Sequence, residues 1–454
     1  MSSFCCLKLN KTPIYITFLA SVCPIIGAFL NIWTYNIPAF AVGFICIIGF
    51  NTIKYKSTYL TRYYLPLLLI ILVFQYVTGR GFAILSNGGY VIIFASLFAA
   101  FFKVNKGIDG DDLLDGITLL YKFYIVTLLV ELIMVMLGFQ SDLVMLLRST
   151  ETPGYKGYNG ADVLQAIGFS YITGLNSILL GSQIAGMLSL FAIIWFIIAF
   201  KYMPQYKVEK YGNLWIYLSI FMYLITTNFT GTILAFLAYL IYALGKQKKI
   251  KWIKLIFPII LLIGLALLIN YSGLFDRISV NDNRVIEHMG NVDDLQYSGA
   301  DIAVIASMST REYYFYIHGL PILNWLNQGI TNQLFGVTKE SVLSGAVFRT
   351  GDFALAEILY TSGFIWFIIF VIAVLTLCLP VLKFYNVDDD PDGSLQSWSL
   401  FCATNALISV LFFASLIHYP QATANPGALT LFSLHLAVTI YSRYRGTIDG
   451  FFKT

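Results

Sequence analysis

The sequence predicts an all-α, polytopic membrane fold, and three observations carry that expectation: an excess of apolar residues, long uninterrupted apolar runs, and a sorting of basic residues between alternate connections. Of the 454 residues, 58% are hydrophobic and only 11% are charged, against ~45–50% and ~25% in ordinary soluble proteins. Mean hydropathy is +0.76. With 24 acidic and 28 basic residues, the chain could not cover the surface of a free cytosolic enzyme. The same scarcity excludes a nucleic-acid binder with a basic face and a disordered scaffold, both of which need far more polar surface.

A helix needs ~20 mainly apolar residues to cross the hydrocarbon of a bilayer, and twelve such runs are found. They are long and continuous rather than alternating, which selects helices over the ~10-residue strands of a membrane barrel. The first, Pro13–Leu30, follows Lys8 and Lys11 as a secretory signal would. Its length and the lack of a small-residue cleavage site mark it instead as the first helix. Asn36–Ile53, Tyr64–Thr78 and Gly88–Val104 come next, then Ile117–Leu137, which carries Lys122 near its inner end and Glu131. Counted from Ile117, Glu131 stands about 21 Å up the helix. Ser177–Phe200, Leu214–Thr227, Thr232–Leu244 and Trp252–Asn270 follow. After a long interruption the last three are Phe353–Leu382, Trp398–Ile417 and Gly427–Tyr441. Ionisable groups at membrane depth normally face a cavity or a partner; Glu131 and Glu357 are of this kind, and pairing with Arg80 is one of the options open to them.

Lys and Arg in short connections are retained in the cytoplasm. Assigning alternate connections on that basis places 19 bases inside and eight outside, with both termini cytoplasmic. The type of base also divides. Inside, 16 of the 19 are Lys; outside, six of the eight are Arg (Arg80, Arg148, Arg277, Arg284, Arg311 and Arg349). Lys is a hydrated point charge, whereas the planar guanidinium binds phosphate through two parallel hydrogen bonds. The outer arginines therefore either pair with loop carboxylates or form an extracytoplasmic phosphate or diphosphate site. All six cysteines fall in the N-terminal tail or within spans, so no disulfide framework or cysteine metal site is expected.

Two outer connections are long enough to be functional. The segment 140–176 has the turn-rich core PGYKGYNG, whose tyrosines are candidates for stacking on sugar rings. The segment 271–352 is long enough to fold as a helical cap, with interfacial stretches broken at Gly319-Leu320-Pro321. It holds five bases and nine acids, so any anion site in it depends on the placement of a few arginines. His288 and His318 lie here as well. The acidic run Asp388-Asp389-Asp390-Pro391-Asp392 reads as a solvated cytoplasmic turn. P-loop, HExxH, EF-hand, nucleophile-elbow and Rossmann patterns are all missing from the sequence.

The arrangement of about a dozen spans, two long outer loops with arginines, and the larger loop just before GDFALAEILYTSGFIWFIIF resembles the Wzy-type O-antigen polymerases and, more distantly, the O-antigen ligases. In those families an Asp, Asn or His closes the last long outer loop, with a Gly about eleven residues on; Asp352 and Gly363 occupy those places. GLNSILLGSQIAGMLSLF and TNFTGTILAFLAYLIYAL are similar to two further family segments. Departures are clear in both: Asn228-Phe229-Thr230-Gly231 stands where relatives carry Ser-Arg, and Tyr171-Ile172-Thr173 carries no Arg before Gly174.

The resemblance implies a GT-C-like, metal-independent glycosyltransferase without a cofactor, at the periplasmic face of the bacterial inner membrane. Its substrate would be undecaprenyl-diphosphate-linked oligosaccharide; a chain-length regulator and a flippase would be further partners beside membrane lipids, and no nucleic acid. Arginines stabilise charge on a departing diphosphate, which makes Arg277, Arg284, Arg311 and Arg80 the diphosphate candidates, with Arg349 in second rank. A carboxylate or imidazole deprotonates the attacking hydroxyl, and Asp352, His318 and Glu312 are the candidates. A ligase transferring the finished chain to lipid A core is the nearest alternative. A transporter is a more distant one, since the sequence lacks two similar halves and a midplane charge cluster.

Overall fold

The computed structural model describes residues 12–29, 63–80, 84–104, 110–136, 182–202, 211–226, 229–245, 325–338, 354–382, 394–417 and 426–448. Among them every regular element is helical and no strand occurs. In chain order, α1 is Thr12–Phe29 and α2 is Leu65–Val77. A π-type turn, Leu85–Gly89, leads into α3, Tyr90–Val104. Then come α4 Gly110–Met136, α5 Ser182–Tyr202, α6 Gly212–Thr226 and α7 Phe229–Gly245. The short α8, Ile330–Phe335, precedes α9, Ala354–Cys378, which runs into a 3-10 turn at Leu379–Val381. The chain closes with α10 Ser394–Ser415 and α11 Pro426–Ile448.

Ten of the twelve expected spans are thus found as helices, while Asn36–Ile53 and Trp252–Asn270 lie outside the described residues. One boundary differs in a way that matters. α4 begins at Gly110, seven residues before Ile117, because Asp112 and Asp115 end the apolar run without ending the helix: carboxylates are favoured in its first turns by the backbone dipole. Glu131 is accordingly about 31 Å from the start of the helix rather than about 21 Å, and it is buried. Lys122 moves about 18 Å up. Its ammonium does not sit at a helix end but over the rings of Phe200 at 5.5 Å and Trp215 at 5.4 Å, in the manner of a cation–π contact.

α11 and α5 form the centre. α11 is buried over the whole of 427–440 and packs against α1, α3, α9 and α10, while α5 packs against α4, α6, α7 and α10. Aromatic rings fill the space between them, among them Trp195, Phe191, Phe412 and Phe432. Polar side chains in this interior are satisfied locally. Thr17, Ser21, Ser96, Ser189, Thr404 and Ser433 each donate to a backbone carbonyl four residues earlier, as hydroxyls do when no water is at hand.

One buried polar cluster ties three helices together. The Asn405 Nδ2 of α10 donates to the Phe401 carbonyl at 2.7 Å, which leaves Oδ1 as the acceptor for the His435 Nδ1–H of α11 at 2.8 Å. A neutral His435 ring then accepts at Nε2 from the Tyr121 hydroxyl of α4, also at 2.8 Å. Each polar atom of this trio that needs a partner has one, as a low-dielectric interior demands.

The outward faces are apolar. α2 buries Leu68, Ile71 and Gln75 and exposes Leu69, Ile70, Val73, Tyr76 and Val77. A helix against water would show the reverse, since its polar residues would face out; here Gln75 is fully buried and Val77 is 76% exposed. Two helices, Asp112–Met134 and Ile358–Val381, are long and apolar enough to cross a membrane, and eight shorter apolar helices accompany them.

Candidate functional site

A second set of polar groups gathers where the end of α2 meets α8 and the start of α9. α2 terminates in a Schellman turn. Gly79 takes φ 72°, the Arg80 amide donates to the Gln75 carbonyl at 2.8 Å and the Gly79 amide to the Tyr76 carbonyl at 3.1 Å. That turn brings Arg80 back toward α8. Its Nε donates to the Gly336 carbonyl at 2.7 Å and its Nη2 to the Asn332 Oδ1 at 3.1 Å.

α9 is broken nearby. Gly363 has φ 83° and ψ 164°, and Gly336, just after α8, has φ 86° and ψ 164°. Both lie in a region open essentially to glycine alone. The reason is a crossing of two backbones: a Cβ on Gly363 would meet the Leu334 carbonyl oxygen and the Gly336 nitrogen, and one on Gly336 would meet the Thr361 carbonyl. Across it the Val337 amide donates to the Tyr360 carbonyl at 2.9 Å.

Side chains from three elements brace the crossing. Gln75 Nε2 donates to both Phe335 O (2.8 Å) and Ser362 O (3.0 Å), bridging α8 and α9. Asn87 of the π-type turn donates from Nδ2 to the hydroxyls of Thr361 and Ser362, and its carbonyl accepts from Trp366 Nε1. From Asn332 the chain continues through Gln328, whose Oε1 accepts from Asn332 Nδ2 and whose Nε2 donates to the Tyr360 hydroxyl. The rings of Phe74 and Phe335, 4.4 Å apart, close the α2–α8 contact.

The electrostatics are unusual for a buried cation. Arg80 is 8% exposed, yet among the described residues its side chain meets only neutral acceptors, and two of its N–H groups are so used. The guanidinium has five donors and stays charged throughout the physiological range. The Gln75 bonds also fix its amide orientation, leaving Oε1 buried with no partner among the described residues; Trp325 Nε1, beside Val337 and Tyr360, is in the same state. Each such atom costs on the order of 1–3 kcal/mol.

Arg80 is the predicted site residue that falls among the described residues, and it lies against residues 332–336 of the large predicted loop. Asp352, His318, Glu312, Arg277, Arg284, Arg311 and Arg349 lie outside the described residues. Gly363, singled out from its distance to Asp352, is the break in α9. Gln75, Asn87, Asn332 and Gly336 were not singled out in the sequence. A signal existed for the first, a lone amide in LPLLLIILVFQYV, and for the break, the run Thr361-Ser362-Gly363 inside an apolar helix. Compared with known proteins, the chain matches no family model, no curated protein and no solved structure.

Proposed function

We propose that the protein is a polytopic, GT-C-like membrane glycosyltransferase with twelve spans, an O-antigen polymerase that joins undecaprenyl-diphosphate-linked repeat units at the periplasmic face of the bacterial inner membrane. The observation that carries this reading is Arg80: a buried guanidinium, held by neutral acceptors alone among the described residues, beside the large loop and the break in α9. The apolar outward faces support placement in a bilayer, because exposed apolar area of this extent is not tolerated in water.

In this reaction a hydroxyl oxygen of one repeat unit attacks the anomeric carbon of a lipid-linked chain. The bond from that carbon to the diphosphate oxygen breaks, and the diphosphate leaves with the electron pair. Charge grows on the departing oxygens, where a preorganised guanidinium stabilises it most. The hydroxyl proton passes to a base, for which Asp352, His318 and Glu312 remain the candidates. Arg277, Arg284, Arg311 and Arg349 are the further diphosphate contacts in this scheme.

The test is the lipopolysaccharide ladder of a strain carrying only Arg80→Ala. Loss of a guanidinium from a transition-state contact lowers turnover about 10²–10³-fold, so the ladder should collapse to core plus a single repeat while the protein still enters the membrane. Full-length ladders would show Arg80 to be structural. Lipopolysaccharide with no repeat at all would instead point to the ligase reaction.

A further inference from the structure

We propose that Arg80 works as a latch: the contacts that hold it now, Gly336 O and Asn332 Oδ1, compete with the diphosphate for the same guanidinium, so that diphosphate binding releases the α8 segment from α9. This rests on the reading of Arg80 as a diphosphate contact. Three observations support competition rather than simple support. Both present partners are neutral, whereas a phosphate adds opposite charge and accepts two parallel N–H bonds from one guanidinium. Nε is committed to Gly336 O at 2.7 Å and Nη2 to Asn332 Oδ1 at 3.1 Å, so a phosphate bound side-on, through Nε and Nη2, takes the place of both partners. The closed crossing is also costly in itself: the two buried side-chain polar atoms without partners among the described residues, Gln75 Oε1 and Trp325 Nε1, are both found there. A state that is only just favoured is one that a ligand can shift, provided the ligand binds the other state better.

Linkage then fixes the sign of each substitution. Asn332→Ala removes a latch partner and leaves Arg80 itself unchanged. Diphosphate affinity should rise, on the order of tenfold if the bond is typical of those to a charged group. Asn332→Asp supplies a carboxylate, strengthens the latch and should weaken binding by at least as much. If Asn332 instead positioned Arg80 for the ligand, Asn332→Ala would weaken binding.

The experiment uses the full chain in lipid nanodiscs, with inorganic pyrophosphate and, separately, undecaprenyl diphosphate in the bilayer as probes. Affinity is measured by calorimetry and backbone amide exchange over 330–338 by mass spectrometry. The Gly336 amide, bonded to Asn332 O, and the Val337 amide, bonded to Tyr360 O, should exchange faster when either probe is bound, with exchange in α5 and α11 unchanged as the control for folding. Binding that Arg80→Ala abolishes, combined with weaker binding in Asn332→Ala or unchanged exchange over 330–338, would overturn the latch and leave the functional reading intact. Failure of the wild type to bind either probe, or undiminished binding by Arg80→Ala, would remove the diphosphate reading and the latch with it.

Discussion

At Gly363 a single hydrogen atom in place of a side chain decides whether two backbones can cross. The residue combines a φ of 83° with neighbours on the α8 segment that leave no room for a Cβ. Gly363→Ala therefore meets two penalties: the conformation alone costs about 1–3 kcal/mol for a residue with a side chain, and the Leu334 carbonyl and Gly336 nitrogen must move besides. The variant should unfold at a lower temperature in detergent, and amides over 330–338 should lose protection before those of α11 do. An unchanged melting temperature would mean that the crossing is not present in the folded protein. Gly363 was singled out in the sequence by its spacing from Asp352, and Arg80 by the outer connection to which the charge rule assigns it. Gln75 was not, because one amide in an apolar run carries no indication of which carbonyls it will bridge, 260 and 287 residues further along the chain.

At the scale of elements, the helices were legible as long continuous apolar runs, the pattern expected of a helix with hydrocarbon on one side and protein on the other. That same uniformity hides the packing. In α2 the buried Leu68 and Ile71 and the outward Leu69, Ile70 and Val73 are of one kind, so the sequence has no polar stripe to say which face meets which neighbour. The polar exceptions supply what the pattern omits. Asn405, His435 and Tyr121 join α10, α11 and α4 in a closed set of hydrogen bonds, and such bonds between membrane helices contribute about 0.6 kcal/mol on average, with a maximum of about 1.7. A double-mutant cycle with Tyr121→Phe and His435→Leu, read by unfolding in a denaturing detergent, should give a coupling in the upper part of that range, since the pair is fully buried and lacks competing water. A coupling of zero would show that the hydroxyl–imidazole bond adds nothing to the 5.8 Å ring contact of the same two residues.

For the whole molecule, the proposed function depends on which side of a membrane each connection would occupy. By the charge rule the lysine-rich connections, such as Lys246 to Lys254, belong in the cytoplasm and the arginine-bearing loops outside. Arg80 and the α8 segment belong to two different outer connections on that assignment, and the fold brings them into contact through Gly336 and Asn332. Five described helices, α3 to α7, lie between them, so a contact on one side of a bilayer requires a sixth crossing, for which Trp252–Asn270, outside the described residues, is the candidate the sequence offers. Cysteine labelling tests it directly. In a background with the six native cysteines replaced, Lys156→Cys and Lys339→Cys should react with a membrane-impermeant maleimide in intact spheroplasts, and Lys249→Cys only after the membrane is opened. The opposite pattern would invert the molecule and put the Arg80 crossing in the cytoplasm. There a guanidinium could not meet lipid-linked repeat units on the periplasmic face, and the polymerase reading would fail even with every contact at the crossing intact.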